Sequence, residues 1–168
     1  VIEAMGKDVS EYVDNGKGMA TEEVVAVLGH ELGHWAEYHT VINIVIAEFN
    51  LFLALFCFSH FHNSSSLSTA FGFSDMMPSL ISLLLVMQYV MGVYSELVEL
   101  MTVFITRRLE FSADAFAARL GHGESLCKSL LKLSEDNLSL PVNDHLYSMC
   151  RFTHPPVAER VAAIKKMQ

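Results

Sequence analysis

The pattern of apolar and polar positions changes several times along the chain. Residues 1–20 are polar, broken by Gly6, Gly16 and Gly18, and read as a connecting loop or strand edge. Thr21 can cap a helix, and Glu22 and Glu23 sit in its first turn, where the helix dipole favours negative charge. Val24, Val25, Leu28, Leu32 and Trp35 then recur at helical spacing. From Val41 to Ser59 the sequence is almost continuously apolar, and a second apolar run covers about 80–105 after Pro78. The first run is close to the roughly 20 residues needed to cross hydrocarbon, and the serine-rich stretch 60–78 separates the two. Beyond 107 the pattern is amphipathic again: Leu126, Leu130, Leu131 and Leu133 suggest a helix whose region Pro141 ends, and Pro155-Pro156 open another. The expected organisation is a loop and first helix over 1–40, a transmembrane hairpin over 41–106 (about 41–59 and 80–105), and a second helical segment over 107–168, all in one domain.

Composition turns these runs into a fold class. Of 168 residues, 52% are apolar and only 18% charged, and mean hydropathy is +0.35. A soluble domain rarely combines these values, so an all-α integral membrane protein is expected. Asn43, Glu48 and Asn50 interrupt the first run, and the ionisable Glu48, with Glu96 and Glu99 in the second, needs an interior or aqueous face. The chain opens on Val1 with no signal-peptide pattern, so it reads as part of a longer multi-pass chain. Stretch 60–78 carries no Lys or Arg, whereas Lys7 and Lys17 precede the first run and Arg107-Arg108 follow the second. By the positive-inside tendency both outer flanks are cytosolic. A net charge of −8 with no basic stripe argues against nucleic acid as a partner. Cys57, Cys127 and Cys150 form no C-x-x-C pair and suggest no disulfide framework.

The candidate chemistry lies in the first helix, in Val27-Leu28-Gly29-His30-Glu31-Leu32-Gly33-His34-Trp35. Residues four apart share a helix face, so His30 and His34 present imidazoles that can take two corners of a zinc tetrahedron. Glu31 falls on the adjacent strip, where its carboxylate can act as base toward a water that the metal acidifies. Arg107-Arg108-Leu109-Glu110-Phe111-Ser112-Ala113-Asp114 places Glu110 and Asp114 on one face of another helix. Glu110 is the natural third ligand, leaving a fourth position open, and Asp114 can hold the far nitrogen of a ligating histidine; the competing reading pairs Glu110 with Arg107 on a solvated face. His154 could donate to a tetrahedral oxyanion and Arg160 could bind a carboxylate, although a capping histidine and a surface arginine explain them equally. His39, His60, His62, His122 and His145 have no usable spacing and read as surface or interface residues.

Taken together, these three motifs (around His30, around Glu110, and Thr153-His154-Pro155-Pro156 with Glu159-Arg160) resemble the type 1 CAAX prenyl protease family of integral-membrane zinc endopeptidases. The resemblance extends to Ala70-Phe71-Gly72-Phe73 and Asp136-Asn137-Leu138, and departs at His145 and Cys150, where the family carries tryptophan. It implies a zincin-like (gluzincin) helical core and two membrane helices of a multi-pass protein, with the remaining N-terminal spans outside this chain. It also implies one Zn2+ per chain on His30, His34 and Glu110, Glu31 as base, Asp114 behind the ligands, and His154 and Arg160 facing substrate. The implied substrates are farnesylated CAAX proteins, which lose their last three residues, with a second upstream cut as in prelamin A or the a-factor precursor. The implied setting is the endoplasmic reticulum and inner nuclear membrane, with the site open to the cytosolic or nucleoplasmic side and lipid around it. Three rival readings are a membrane quality-control protease indifferent to prenyl groups, a non-hydrolytic metal-binding scaffold, and a di-iron bundle. The last needs a second Glu-x-x-His that the chain lacks.

Overall fold

The computed structural model describes residues 18–75, 77–138 and 144–167, and among them every regular element is helical. The expected loop over 1–17, with Lys7 and Lys17 and the orientation argument built on them, lies outside the described residues, as does Pro141. The chain divides into two compact units, one formed by Val1–His39 with Val103–Gln168 and the other by Thr40–Thr102.

The first unit begins with helix α1, Thr21–Ala36. Its cap differs from the expectation. Ala20 is the N-cap residue and Thr21 is already helical, while Glu23 reaches back to accept from the Ala20 backbone N–H at 3.0 Å. That contact satisfies the N-cap backbone N–H and is the N3 half of a capping box, since the Ala20 side chain has no oxygen to serve the first-turn donors. α1 stops at Glu37 and Tyr38, the latter left-handed at φ +58°, and the chain re-enters helix at His39. The unit resumes inside helix α5, Gly92–Ala117, which carries both Glu110 and Asp114. A wide turn over Ala118–His122 follows, with Gly121 at φ +87°, a backbone position that glycine occupies without steric penalty. It leads into helix α6, Gly123–Asp136. Asp144 caps the short helix α7, His145–Arg151, through the Tyr147 N–H at 2.8 Å, and helix α8, Val157–Lys165, follows Pro155-Pro156.

The core of this unit forms where α6 packs against α1 and α8. Ala26, Ala117, Leu126, Cys127, Leu130 and Ile164 are buried there, with Val157 and Val161 against them. Leu131 and Leu133, read as part of the same stripe, are instead exposed. Small residues let α1 and α5 approach closely. A Cβ on Gly33 would meet the Ala113 Cα at 3.1 Å and the Phe116 Cβ at 3.0 Å, while one on Gly29 would find ordinary contact with Ala117 at 3.6 Å. Arg107 is buried. It donates to Glu159 at 2.6 Å and to the Ser148 hydroxyl at 3.3 Å, joining α5 to α7 and α8.

The second unit contains most of helix α2, His39–Phe61, whose 23 residues would extend about 34 Å at the usual helical rise. It is long and apolar enough to cross a membrane, and none of its apolar window is buried. The serine-rich break contains a short helix, α3, Ser65–Ala70, capped by Ser64. The second apolar run is not a single straight helix. Helix α4, Ser79–Leu85, passes into a wide π-type turn over Val86–Val90, and the helix beyond it is bent away by 61°. Beyond the bend, α5 continues without interruption through residue 105 to Ala117, so the boundary drawn between membrane helix and ligand helix does not exist as a break. Apolar composition reports burial or lipid contact and is silent on chain direction, and Gly92 at the bend is a poor helix former. Asn50 is satisfied within the unit, accepting from Tyr94 at 2.7 Å and donating to the Ile46 carbonyl at 2.8 Å. Glu48, Glu96 and Glu99 are exposed.

Candidate metal centre

The centre is built on the α1–α5 contact. One turn of α1 separates His30 from His34, and the close approach allowed by Gly33 brings the α5 carboxylate of Glu110 across to them. The two Nε2 atoms stand 3.1 Å apart, His30 Nε2 lies 3.6 Å from Glu110 Oε2, and His34 Nε2 lies 3.5 Å from Glu110 Oε1. One ligand atom from each of the three residues falls within 4.8 Å of the others. Bonds of about 2.0–2.1 Å at tetrahedral angles place donor atoms about 3.3 Å apart, which these separations bracket.

The donor chemistry fits a cation for a second reason. Asp114 is acceptor-only when ionised and lies 3.0 Å from His30 Nδ1, so the ring proton of neutral His30 belongs on Nδ1 and its Nε2 lone pair faces His34 and Glu110. Glu110 Oε2 is buried and makes no hydrogen bond. Arg160 Nη1 stands 3.4 Å from Glu110 Oε2 and its Nη2 3.5 Å from His30 Nε2, so the cluster is held by long contacts to one guanidinium, and a divalent cation would satisfy the converging lone pairs and carboxylate at bonding distance.

Asp114 is fully buried, and Arg160 holds it through two hydrogen bonds, Nη2 to Oδ1 at 2.6 Å and Nε to Oδ2 at 2.8 Å. Burial pushes the Asp114 carboxyl up, but the hydrogen bonds from Arg160 and His30 outweigh it and hold the group below its usual range. Burial likewise opposes the charge on Arg160, and its bonding to Asp114 prevails, so the guanidinium is held above its usual value. For His34, burial lowers the imidazole, His30 beside it adds to that, and Glu110 opposes. The competing pairing of Glu110 with Arg107 is not made, because Arg107 is engaged by Glu159 and Ser148.

The structure brings all seven sequence-predicted residues to this region, but two stand differently from each other. His154 has a side chain 71% exposed with Nδ1 3.1 Å from Glu110 Oε1, at the open side of the cluster. Arg160 is 8% exposed, and the carboxylate it binds is that of Asp114, with Glu110 Oε2 3.4 Å from its Nη1. The expectation of an arginine facing a substrate carboxylate is corrected to that extent, since its guanidinium is turned inward. Glu31 is exposed beside the histidines, and its charge acts on both His34 and Arg160.

The sequence spacing assigns His39 to the surface or an interface, and here too the structure differs. It is 3% exposed, its Nδ1 lies 2.9 Å from His34 Nδ1, and its Nε2 lies 3.2 Å from Glu37 Oε2. Glu37 in turn accepts from Ser112 of α5 and from Arg119 at 3.0 Å. The hydrogen bond from Ser112 is the main reason its carboxyl sits below the usual range. Helical spacing could not find this contact, because the left-handed turn at Tyr38 lies between the two histidines.

Comparison with known proteins identifies the family. The chain is 50% identical over 166 residues to the CAAX prenyl protease 1 homolog of Caenorhabditis elegans, covering 98% of this chain and 37% of that protein. It is 45% identical over 167 residues to the CAAX prenyl protease 1 homolog of Homo sapiens, covering 99% of this chain and 35% of that protein. The crystal structure of S. mikatae Ste24p superposes with a TM-score of 0.71 at 32% identity, covering 86% of this chain and 36% of that one. The chain therefore spans about a third of the length of these relatives. Peptidase family M48 matches residues 13–168, nearly the whole chain, and this chain belongs to that family.

Proposed function

We propose that this chain is the catalytic portion of a zinc-dependent membrane endopeptidase with a zincin-like helical core, which removes the last three residues from prenylated CAAX proteins. The observation that carries the reading is the convergence of His30, His34 and Glu110 beside an exposed Glu31. His30, His34 and Glu110 would hold one Zn2+ per chain. When bound, the ion polarises the scissile carbonyl and lowers the pKa of a water to roughly 7.

The rest of the chemistry belongs to this chain's side chains. Glu31 takes a proton from the attacking water as its oxygen bonds to the carbonyl carbon, and delivers that proton to the amine nitrogen as the C–N bond breaks. His154 donates a hydrogen bond to the oxyanion from the open side, a type of contact worth about 3 kcal/mol in other enzymes. Arg160 fixes Asp114, and Asp114 fixes the His30 ring, so both act behind the reacting groups.

Substrate class follows from the relatives, whose names specify CAAX prenyl protease. An upstream second cut, as in prelamin A or the a-factor precursor, belongs to the same proposal. The apolar helix His39–Phe61 supports a membrane setting, which we assign to the endoplasmic reticulum and inner nuclear membrane as a multi-pass protein. The exposed Glu48 and Glu96 would face further membrane helices of the same protein, and the site would open to the cytosolic or nucleoplasmic side. Lipid surrounds the apolar helix, and the charge of −8 leaves nucleic acid outside its partners.

The test uses one peptide with and without farnesyl. Glu31→Gln should abolish cleavage of the farnesylated peptide while keeping stoichiometric zinc, and unmodified peptide should be a poor substrate. Retained turnover by Glu31→Gln overturns the base assignment. Equal cleavage of both peptides would favour a quality-control protease over a prenyl-directed one.

A further inference from the structure

We infer that His39 is a positioning residue for the metal site, which with Glu37 fixes the tautomer and plane of His34 as Asp114 fixes His30. The inference rests on the reading of His34 as a ligand. It begins with the one partner whose role is unambiguous. An ionised Glu37 can only accept, so the contact at 3.2 Å requires a proton on His39 Nε2. Neutral His39 then has a lone pair on Nδ1, and the 2.9 Å contact to His34 requires the proton on His34 Nδ1. That leaves His34 Nε2 unprotonated, and this is the atom that faces His30 Nε2 and Glu110 Oε1. The proton positions are thus set in sequence from Glu37 to the nitrogen that would bind the metal.

The relay is anchored from outside α1. Ser112 lies on α5, two residues beyond Glu110, and donates to Glu37, while Arg119 holds the other oxygen of the same carboxylate. The left-handed backbone at Tyr38 turns the chain so that His39 falls back against His34, and the imidazole planes meet edge to face at 81° with centroids 4.9 Å apart. A buried histidine outside the ligand set, with both ring nitrogens engaged and one of them on a ligand, is what an orienting partner requires. Both ligating imidazoles are then backed by a carboxylate, His30 directly by Asp114 and His34 through His39 by Glu37.

The test measures zinc affinity by chelator competition, and the visible spectrum of the cobalt-substituted protein, on the full-length protein in detergent. His39→Ala should weaken zinc binding by about 10- to 100-fold and alter the cobalt spectrum. His39→Asn, whose amide oxygen can sit where Nδ1 accepts, should restore most of both. His39→Gln, which offers its amide nearer the Nε2 position, should not. If His39→Ala does not fold, the Asn and Gln variants decide alone, with Glu37→Gln expected to shift the cobalt spectrum in the same direction. Equal behaviour of Asn and Gln, or wild-type affinity and spectrum in His39→Ala, overturns the relay. A wild-type protein that binds no zinc, or a His34→Ala variant that binds it undiminished, removes the underlying metal site instead.

Discussion

Arg160 grips Asp114 through two parallel hydrogen bonds, Nη2 to Oδ1 at 2.6 Å and Nε to Oδ2 at 2.8 Å, in a place where neither side chain reaches solvent freely. Such a pair stabilises only while both partners are present, because removing one leaves a buried charge uncompensated. Asp114→Asn should therefore lower stability by about 3–5 kcal/mol. The double variant Asp114→Asn with Arg160→Met should lose clearly less than the sum of the two single changes. Denaturant unfolding of the three variants checks this, and simple additivity would show that the pair is not coupled.

Gly33 and Gly29 give a matched comparison on one helix face. Gly33→Ala forces a methyl against the α5 backbone at Ala113 and should destabilise the protein by about 1–3 kcal/mol. It should also weaken metal binding, since the same contact sets the distance from the histidines to Glu110. Gly29→Ala meets only ordinary contact and should leave both nearly unchanged. Zinc titration and thermal melts of the pair read the difference, and equal effects would contradict the packing argument.

His154 is exposed, so replacing it should leave the fold intact while removing a donor from the open side of the centre. His154→Ala is expected to reduce kcat by about 100- to 1,000-fold with an unchanged melting temperature. A loss confined to KM would assign it to substrate binding alone.

The cysteines should separate by reactivity. Cys150 is exposed, whereas Cys127 is buried in the core and burial pushes its thiol above the ordinary value. Raising an acid's pKa favours its protonated form, so the protection and the stability it reflects are complete at neutral pH and are lost as pH rises through the raised value. Alkylation followed by mass spectrometry at rising pH should label Cys150 first and Cys127 only under alkaline or unfolding conditions. Early labelling of Cys127 at neutral pH would contradict its placement.

What the sequence made legible was what helical periodicity encodes. His30 with His34, and Glu110 with Asp114, are pairs within one helix, and spacing alone puts each pair on a face. The meeting of those two faces rests on Gly33 against Ala113, a signal present as glycines four apart in α1 but carrying no weight until a partner helix is known. His39 could not be read because a single left-handed residue at Tyr38 resets the helical phase between it and His34. Arg160 was legible as a carboxylate binder, but linear sequence does not tell an internal carboxylate from a substrate's. The bend between α4 and α5 was missed because a lipid-compatible run looks the same whether straight or broken.

The proposed chemistry requires Glu110 to complete a metal site begun by His30 and His34. Zinc stoichiometry of the full-length protein, measured for the wild type beside Glu110→Ala under mild chelation, tests it most directly. The wild type should hold close to one zinc per chain, and the variant should lose nearly all of it. Zinc retained by Glu110→Ala as tightly as by the wild type would contradict it.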